Sequence, residues 1–87
     1  MDNSLIVSVK SPEMVYFEGE AQAVSSFNDK GPFDVLPMHT NFISLVKNMV
    51  IIHQKNNISR QIKIDGGILR VFHNNVHIFL GIDALQK

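Results

Sequence analysis

Phe33-Asp34-Val35-Leu36-Pro37-Met38-His39 and, further along, Ile64-Asp65-Gly66-Gly67-Ile68-Leu69-Arg70-Val71 decide how this chain reads. Phe33 to Leu36 is a brief extended run, and Pro37 ends it because proline has no backbone N–H to give a strand ladder. In the second stretch, apolar residues resume on both sides of Gly66-Gly67. A bulge, or a point of close backbone approach, interrupts a strand in this way. Neither stretch has the makings of a catalytic site. The function is therefore to be sought in a surface that partners grip.

The same alternation extends outward from both stretches. Leu5, Val7 and Val9 alternate with Ile6, Ser8 and Lys10, the period of two of a half-buried strand. Ser11-Pro12 breaks it, Met14 to Phe17 resumes it, and Glu18-Gly19-Glu20 is expected to turn the chain. Ala21 to Phe27 reads as a third strand, and Asn28-Asp29-Lys30-Gly31-Pro32 is the strongest loop signal. Beyond Pro37, strands are predicted over Phe42–Val46 and Met49–His53, with Lys47-Asn48 turning between them. A helical turn over Thr40 to Val46 is disfavoured by its β-branched residues. Asn56-Asn57 suits a tight hairpin because asparagine tolerates positive φ. Ile62 and Ile64 alternate with Lys63, and His73-Asn74-Asn75 joins Ile68–Phe72 to Val76–Leu80. About nine short strands at hairpin spacing predict an all-β, antiparallel sandwich or barrel. With no linker, repeat or low-complexity segment, residues 1–87 read as one domain.

Composition narrows the function. A chain of 87 residues buries only about 60% of its unfolded surface, and 45% hydrophobic content offsets that thin margin. Eight basic and eight acidic residues cancel and are scattered, which removes the footprint of a nucleic-acid binder. Zero cysteines exclude a disulfide framework and point to a reducing compartment. Met1-Asp2-Asn3-Ser4 is acidic where a signal peptide is basic, and no apolar stretch approaches the roughly 20 residues of a membrane span. No direct membrane insertion is expected.

Candidate chemistry is sparse. His73 and His77 would share a helix face, but across a hairpin His77 is expected opposite Phe72, with His73 in the turn, so no metal site is predicted. Ser25 and Ser26 have no histidine nearby in sequence, and Glu18 and Glu20 flank a glycine as solvated charges. Asp65-Gly66-Gly67 is not a phosphate loop, because no helix follows it. No catalytic residue, cofactor or small-molecule ligand is expected. Met49-Val50-Ile51-Ile52 and Ile78-Phe79-Leu80, however, are apolar on both parities, and such strands need cover on both faces. Part of the exterior is thus expected to lie against another protein or another copy. Phe27, Phe33, Phe42 and Phe79 read as core-type aromatics, with Phe17 and Phe72 the candidates for exposure.

Five segments in register resemble the N-terminal domain of the epsilon subunit of F-type ATP synthases. That family's pattern reads Thr-Pro-Glu, an apolar pair with Glu-Gly-Glu, Phe-Gly-apolar-Leu-Pro-Gly-His, Ser-Gly-Gly-apolar-Leu-Glu-Val, and an Asn-rich turn before Val-Thr-Val. The matching residues here are Ser11-Pro12-Glu13, Val15 to Glu20, Phe33 to His39, Asp65 to Val71, Asn74-Asn75 and Val76-His77-Ile78. The resemblance implies a ten-stranded antiparallel sandwich at the foot of a rotor, non-catalytic, binding the gamma shaft and the membrane c-ring. It places the subunit peripherally on the cytoplasmic face of the membrane. It implies a c-ring-facing loop over Asp29 to Asn41, with Asp29, Lys30, Pro32, Asp34, Met38, His39 and Thr40 as contacts. It implies a gamma-facing apolar side with Phe42, Met49, Ile51, Phe72 and Phe79.

Departures from the pattern are specific. The family's C-terminal helical hairpin would begin near Asp83-Ala84-Leu85-Gln86-Lys87, so inhibition and ATP sensing are not assigned. Asp34 and Met38 stand where the pattern has glycine, and Pro32 where acidic residues are common. A left-handed Met38 would cost about 1–2 kcal/mol, so the turn is expected to relax to negative φ with Met38 projecting. His39 either holds the turn through backbone carbonyls or contacts a partner. The alternative to a rotor subunit is a freestanding or self-associating β-sandwich adaptor, and a small-molecule-binding barrel comes third.

Overall fold

A computed structural model describes residues 4–81, and within them the alternating runs form seven strands. They are β1 (Leu5–Lys10), β2 (Val15–Ala21), β3 (Ala23–Asn28), β4 (Gly31–Val35), β5 (Phe42–His53), β6 (Ser59–Phe72) and β7 (Asn75–Leu80). All join one sheet in the order β2-β1-β7-β6-β5-β3-β4. Neighbours are antiparallel except β1 and β7, which run parallel with Val7 beside Val76. Hairpin spacing cannot reveal that pair, because it joins the two ends of the described chain.

The strand count falls below the sequence expectation for one physical reason. Phe42–Val46 and Met49–His53 belong to one strand, β5, and the isoleucines on either side of Gly66-Gly67 belong to one strand, β6. Lys47-Asn48 does not reverse the chain. Asn48 takes φ 73°, which asparagine tolerates, and β5 bends there without breaking. Opposite it, Val46 pairs with Gly67 and Asn48 with Ile64, so β6 carries one extra residue in that interval. The bulge lies where the glycine pair predicts it.

In a flat sheet β2 and β4 would lie roughly 29 Å apart at about 4.8 Å per strand. Yet Phe17 of β2 and Val35 of β4 belong to one buried cluster with Leu5, Val24, Ile52, Leu69 and Ile78. The sheet therefore folds over at the bulged β5/β6 pair into two layers around one core. The first layer holds β2, β1, β7, the Gly67–Phe72 half of β6 and the Phe42–Val46 half of β5, and the second holds their other halves with β3 and β4. Side chains stitch the free edge of β2 to the second layer. Arg60 donates to the Tyr16 carbonyl at 3.4 Å and Gln54 to the Glu20 carbonyl at 3.4 Å.

Other expectations change locally. Glu18-Gly19-Glu20 does not turn: Gly19 pairs with Val7 inside β2, and the break comes at Gln22. Phe17 is buried rather than exposed, paired with Val9 and with the Arg60 guanidinium 5.9 Å from its ring centroid. The β6–β7 hairpin uses two residues, His73 (φ 49°) and Asn74 (φ 64°), the pattern of a type I′ turn. Phe72 therefore pairs with Asn75 and His77 with Arg70, not with Phe72 as expected.

Candidate functional site

The segment Asp29 to Asn41 is not one loop. Gly31–Val35 is strand β4, paired with β3, so it leaves a tight turn at Asp29-Lys30 and a second loop over Leu36 to Asn41. The expected contacts accordingly separate. Asp29 and Lys30 sit at one end of β4, where Asp29 accepts from Lys47 at 3.3 Å and the Lys30 N–H donates to Asn28 Oδ1 at 2.9 Å. Pro32 and Asp34 are exposed on the strand itself, and Pro32 blunts the open sheet edge by withholding a donor.

Met38, His39 and Thr40 gather at the other end. The His39 N–H donates to the Leu36 carbonyl at 3.1 Å across Pro37 and Met38. Proline at the second position and positive φ at the third are the features of a type II turn, whose third position favours glycine. Met38 keeps φ 70° in place of the relaxed conformation expected from its sequence, and it is 79% exposed. The turn is held from outside. The Met38 N–H donates to Asn74 Oδ1 at 2.7 Å, and the His73 N–H donates to Asn41 Oδ1 at 3.3 Å. The loop and the β6–β7 hairpin thus form one two-part tip. His39 Nδ1 donates to the Thr40 carbonyl at 2.8 Å, and its ring meets Phe42 edge-on at 5.5 Å.

The expected apolar set also divides. Phe42 faces inward, packed edge-on against Phe33 at 5.7 Å. Met49 and Ile51 alternate with buried Val50 and Ile52, on the outer face of the second layer. Phe72 and Phe79 lie on the outer face of the first layer, 44% and 42% exposed. There they join residues that sequence reading missed, Ile43 and Leu45, exposed to 69% and 70%. Val46 is buried, and its parity alone sends Ile43 and Leu45 outward. Ile68 pairs with both Leu45 and Phe79, making the patch continuous across β5, β6 and β7. At its centre Arg70 pairs with Ile43 on one side and His77 on the other. The sequence pattern quoted above has glutamate and threonine at those last two positions.

One cluster has the composition of a hydrolytic site. Ser25 Oγ donates to Asp34 Oδ1 at 2.6 Å and also lies 2.8 Å from His53 Nε2. The order of the bonds decides its chemistry. The single hydroxyl proton goes to the carboxylate, so His53 must donate through Nε2 and cannot act as a base toward Ser25. Among the described residues no group of three or more His, Cys, Asp or Glu could hold a metal ion.

Residues 4–81 match the family described as the ATP synthase delta/epsilon chain β-sandwich domain. The chain belongs to that family. Similar curated proteins are ATP synthase epsilon chains of Leptospira borgpetersenii serovar Hardjo-bovis (strain JB197) and of Endomicrobium trichonymphae. The first is 29% identical over 98% of this chain and 67% of its own, and the second 30% over 87% and 55%. A chain of the Euglena gracilis mitochondrial ATP synthase, solved with OSCP, F1 and c-ring, superposes with TM-score 0.84 at 16% identity. That alignment covers 92% of this chain and 52% of that one, and it shows the shared fold. A chain from the central stalk and c-ring of the Tetrahymena thermophila mitochondrial enzyme gives TM-score 0.71 at 15% identity. The chain thus spans between about half and two thirds of the proteins it matches. Within this delta/epsilon family fold, the tip exposes Met38 and the outer face of the first layer exposes Ile43, Leu45, Phe72 and Phe79.

Proposed function

We propose that the chain is one β-sandwich unit serving as a non-catalytic epsilon-type subunit of a rotary, proton-translocating ATP synthase. It binds the gamma shaft through the outer face of the first layer, around Phe72 and Phe79. It meets the c-ring through the tip carrying Met38, His39 and Thr40. The family match over residues 4–81 carries this reading. The geometry supports it in two ways. An exposed apolar patch on a strand face is the mark of a docking surface, and Ile43 and Leu45 provide one that the core does not use. A bulged sheet closed on a close-packed core transmits force with little deformation, as a wedge between ring and shaft must. The subunit is then peripheral to the membrane, on its cytoplasmic face, and needs no cofactor.

The test is co-purification. Tagged full-length chain drawn from a membrane extract at native expression should bring gamma and the c-ring with it. A tagged chain that returns alone, while the rest of the synthase remains assembled on the membrane, rejects the assignment.

A further inference from the structure

We infer that the outer face of the first layer receives a carboxylate from its partner, with Arg70 as the receiving group; this rests on the shaft-binding reading and adds the chemistry of the contact. Arg70 lies inside the apolar patch, not at its rim. Ile43 is directly across from it on β5, and Ile68 and Phe72 stand two positions either side on β6. A partner that covers these side chains also strips water from the guanidinium they surround. Desolvating a cation is strongly unfavourable unless acceptors replace the water.

The described residues do not supply that replacement. Their one ion pair joins Lys47 to Asp29, at the other end of β4 from the tip. Arg70 rests over the Phe72 ring, 5.7 Å from its centroid, which holds the guanidinium at the face without neutralising it. His77, its neighbour on β7, shares Nδ1 with Ser8 Oγ at 3.1 Å and brings no negative charge. The aligned acidic residue in that cross-strand row is Glu18, opposite Ser8 on β2. Three strand spacings, about 14 Å, separate it from Arg70. No described residue supplies that acceptor, which is assigned to the partner. The planar guanidinium fork matches a carboxylate with two parallel bonds, so the segment that fits is one with Asp or Glu between apolar side chains.

The experiment is a titration of the full chain against the gamma subunit of the same complex, for wild type, Arg70→Gln, Arg70→Lys and Leu45→Asp. Arg70→Gln should weaken binding at least about 30-fold, the loss expected when a buried charge is left unpaired. Wild-type affinity should fall with added salt more steeply than that of Arg70→Gln, and Arg70→Lys should fall between them. Arg70 points outward, so thermal midpoints of the free variants should stay together and exclude misfolding as the cause. Arg70→Gln within about twofold of wild type, with Leu45→Asp abolishing binding, overturns the inference and leaves shaft binding intact. Binding unchanged in both variants overturns it by moving the shaft to another surface. No association of the wild-type chain overturns both readings.

Discussion

Gly67 lies so close beneath the main chain of Phe79 that a methyl group on it would sit 2.6 Å from the Phe79 carbonyl oxygen. That contact joins β6 to β7 immediately beside the bulge that lets the sheet fold over. The neighbouring atom is backbone and cannot rotate away. Gly67→Ala should therefore destabilise the fold by about 2 kcal/mol or more, at the upper part of the overpacking range. Gly19→Ala is the control, because its new methyl meets the Phe17 ring at an ordinary 3.5 Å. Urea melts should separate the two clearly. Equal midpoints would mean the β6–β7 approach is looser than described.

Asn74 has two separable roles at the tip. Its φ of 64° fits the hairpin turn, and its side-chain oxygen accepts from the strained Met38. Asn74→Gly keeps the turn and loses the acceptor, costing about 1 kcal/mol. Asn74→Ala loses both, and should cost about 1–2 kcal/mol more because alanine resists positive φ. Met38→Gly should go the other way, stabilising by about 0.5–1 kcal/mol as the left-handed strain is relieved. Thermal or chemical denaturation of the three variants gives the order directly. A destabilising Met38→Gly would show that the Met38 side chain contributes more than its exposure suggests.

The all-β class and the positions of nearly all strands were legible because alternation is local, and a buried face imposes it residue by residue. The glycine pair marked its bulge for the same reason. Three things were hidden. The parallel β1–β7 pair is a long-range contact with no local signature. Asn48 and Asn56 both take positive φ, yet one bends a strand and the other serves a connection, so residue type alone cannot separate bend from reversal. The patch was obscured because β5 is apolar on both parities. Only burial of Val46 and Val50 identifies Ile43 and Leu45 as the outer set. The expected contact lists were split for a related reason, since a continuous sequence motif can cross from one end of a strand to the other.

Ser25 became adjacent to His53 and Asp34 through the pairing of β3 with both β4 and β5, which sequence order does not suggest. The bond order predicts inertness. A fluorophosphonate probe should leave Ser25 unlabelled under conditions that label a serine hydrolase fully, as read by intact mass. Labelling that disappears in Ser25→Ala would show that His53 takes the hydroxyl proton after all.

Leu45 and Leu69 test the inside–outside assignment with one chemistry. They lie on adjacent antiparallel strands, one residue apart in register: Leu45 pairs with Ile68, and Ser44 with Leu69. Leu69 is fully buried in the common core, whereas Leu45 is 70% exposed on the patch. Truncating Leu69 to alanine removes buried methyl groups and leaves a cavity, so it should cost about 2–5 kcal/mol. In a domain whose entire stability is of the order of 5–15 kcal/mol, that loss is a large fraction of the total. Leu45→Ala should stay within about 0.5 kcal/mol of wild type in the free chain. Its cost should appear only on docking, as weaker binding to gamma. A slip of β5 by one residue against the core would exchange the two faces. Denaturation of both variants, followed by titration of Leu45→Ala against gamma, decides the register: a Leu45→Ala loss comparable to that of Leu69→Ala would place Leu45 in the core and remove the docking patch.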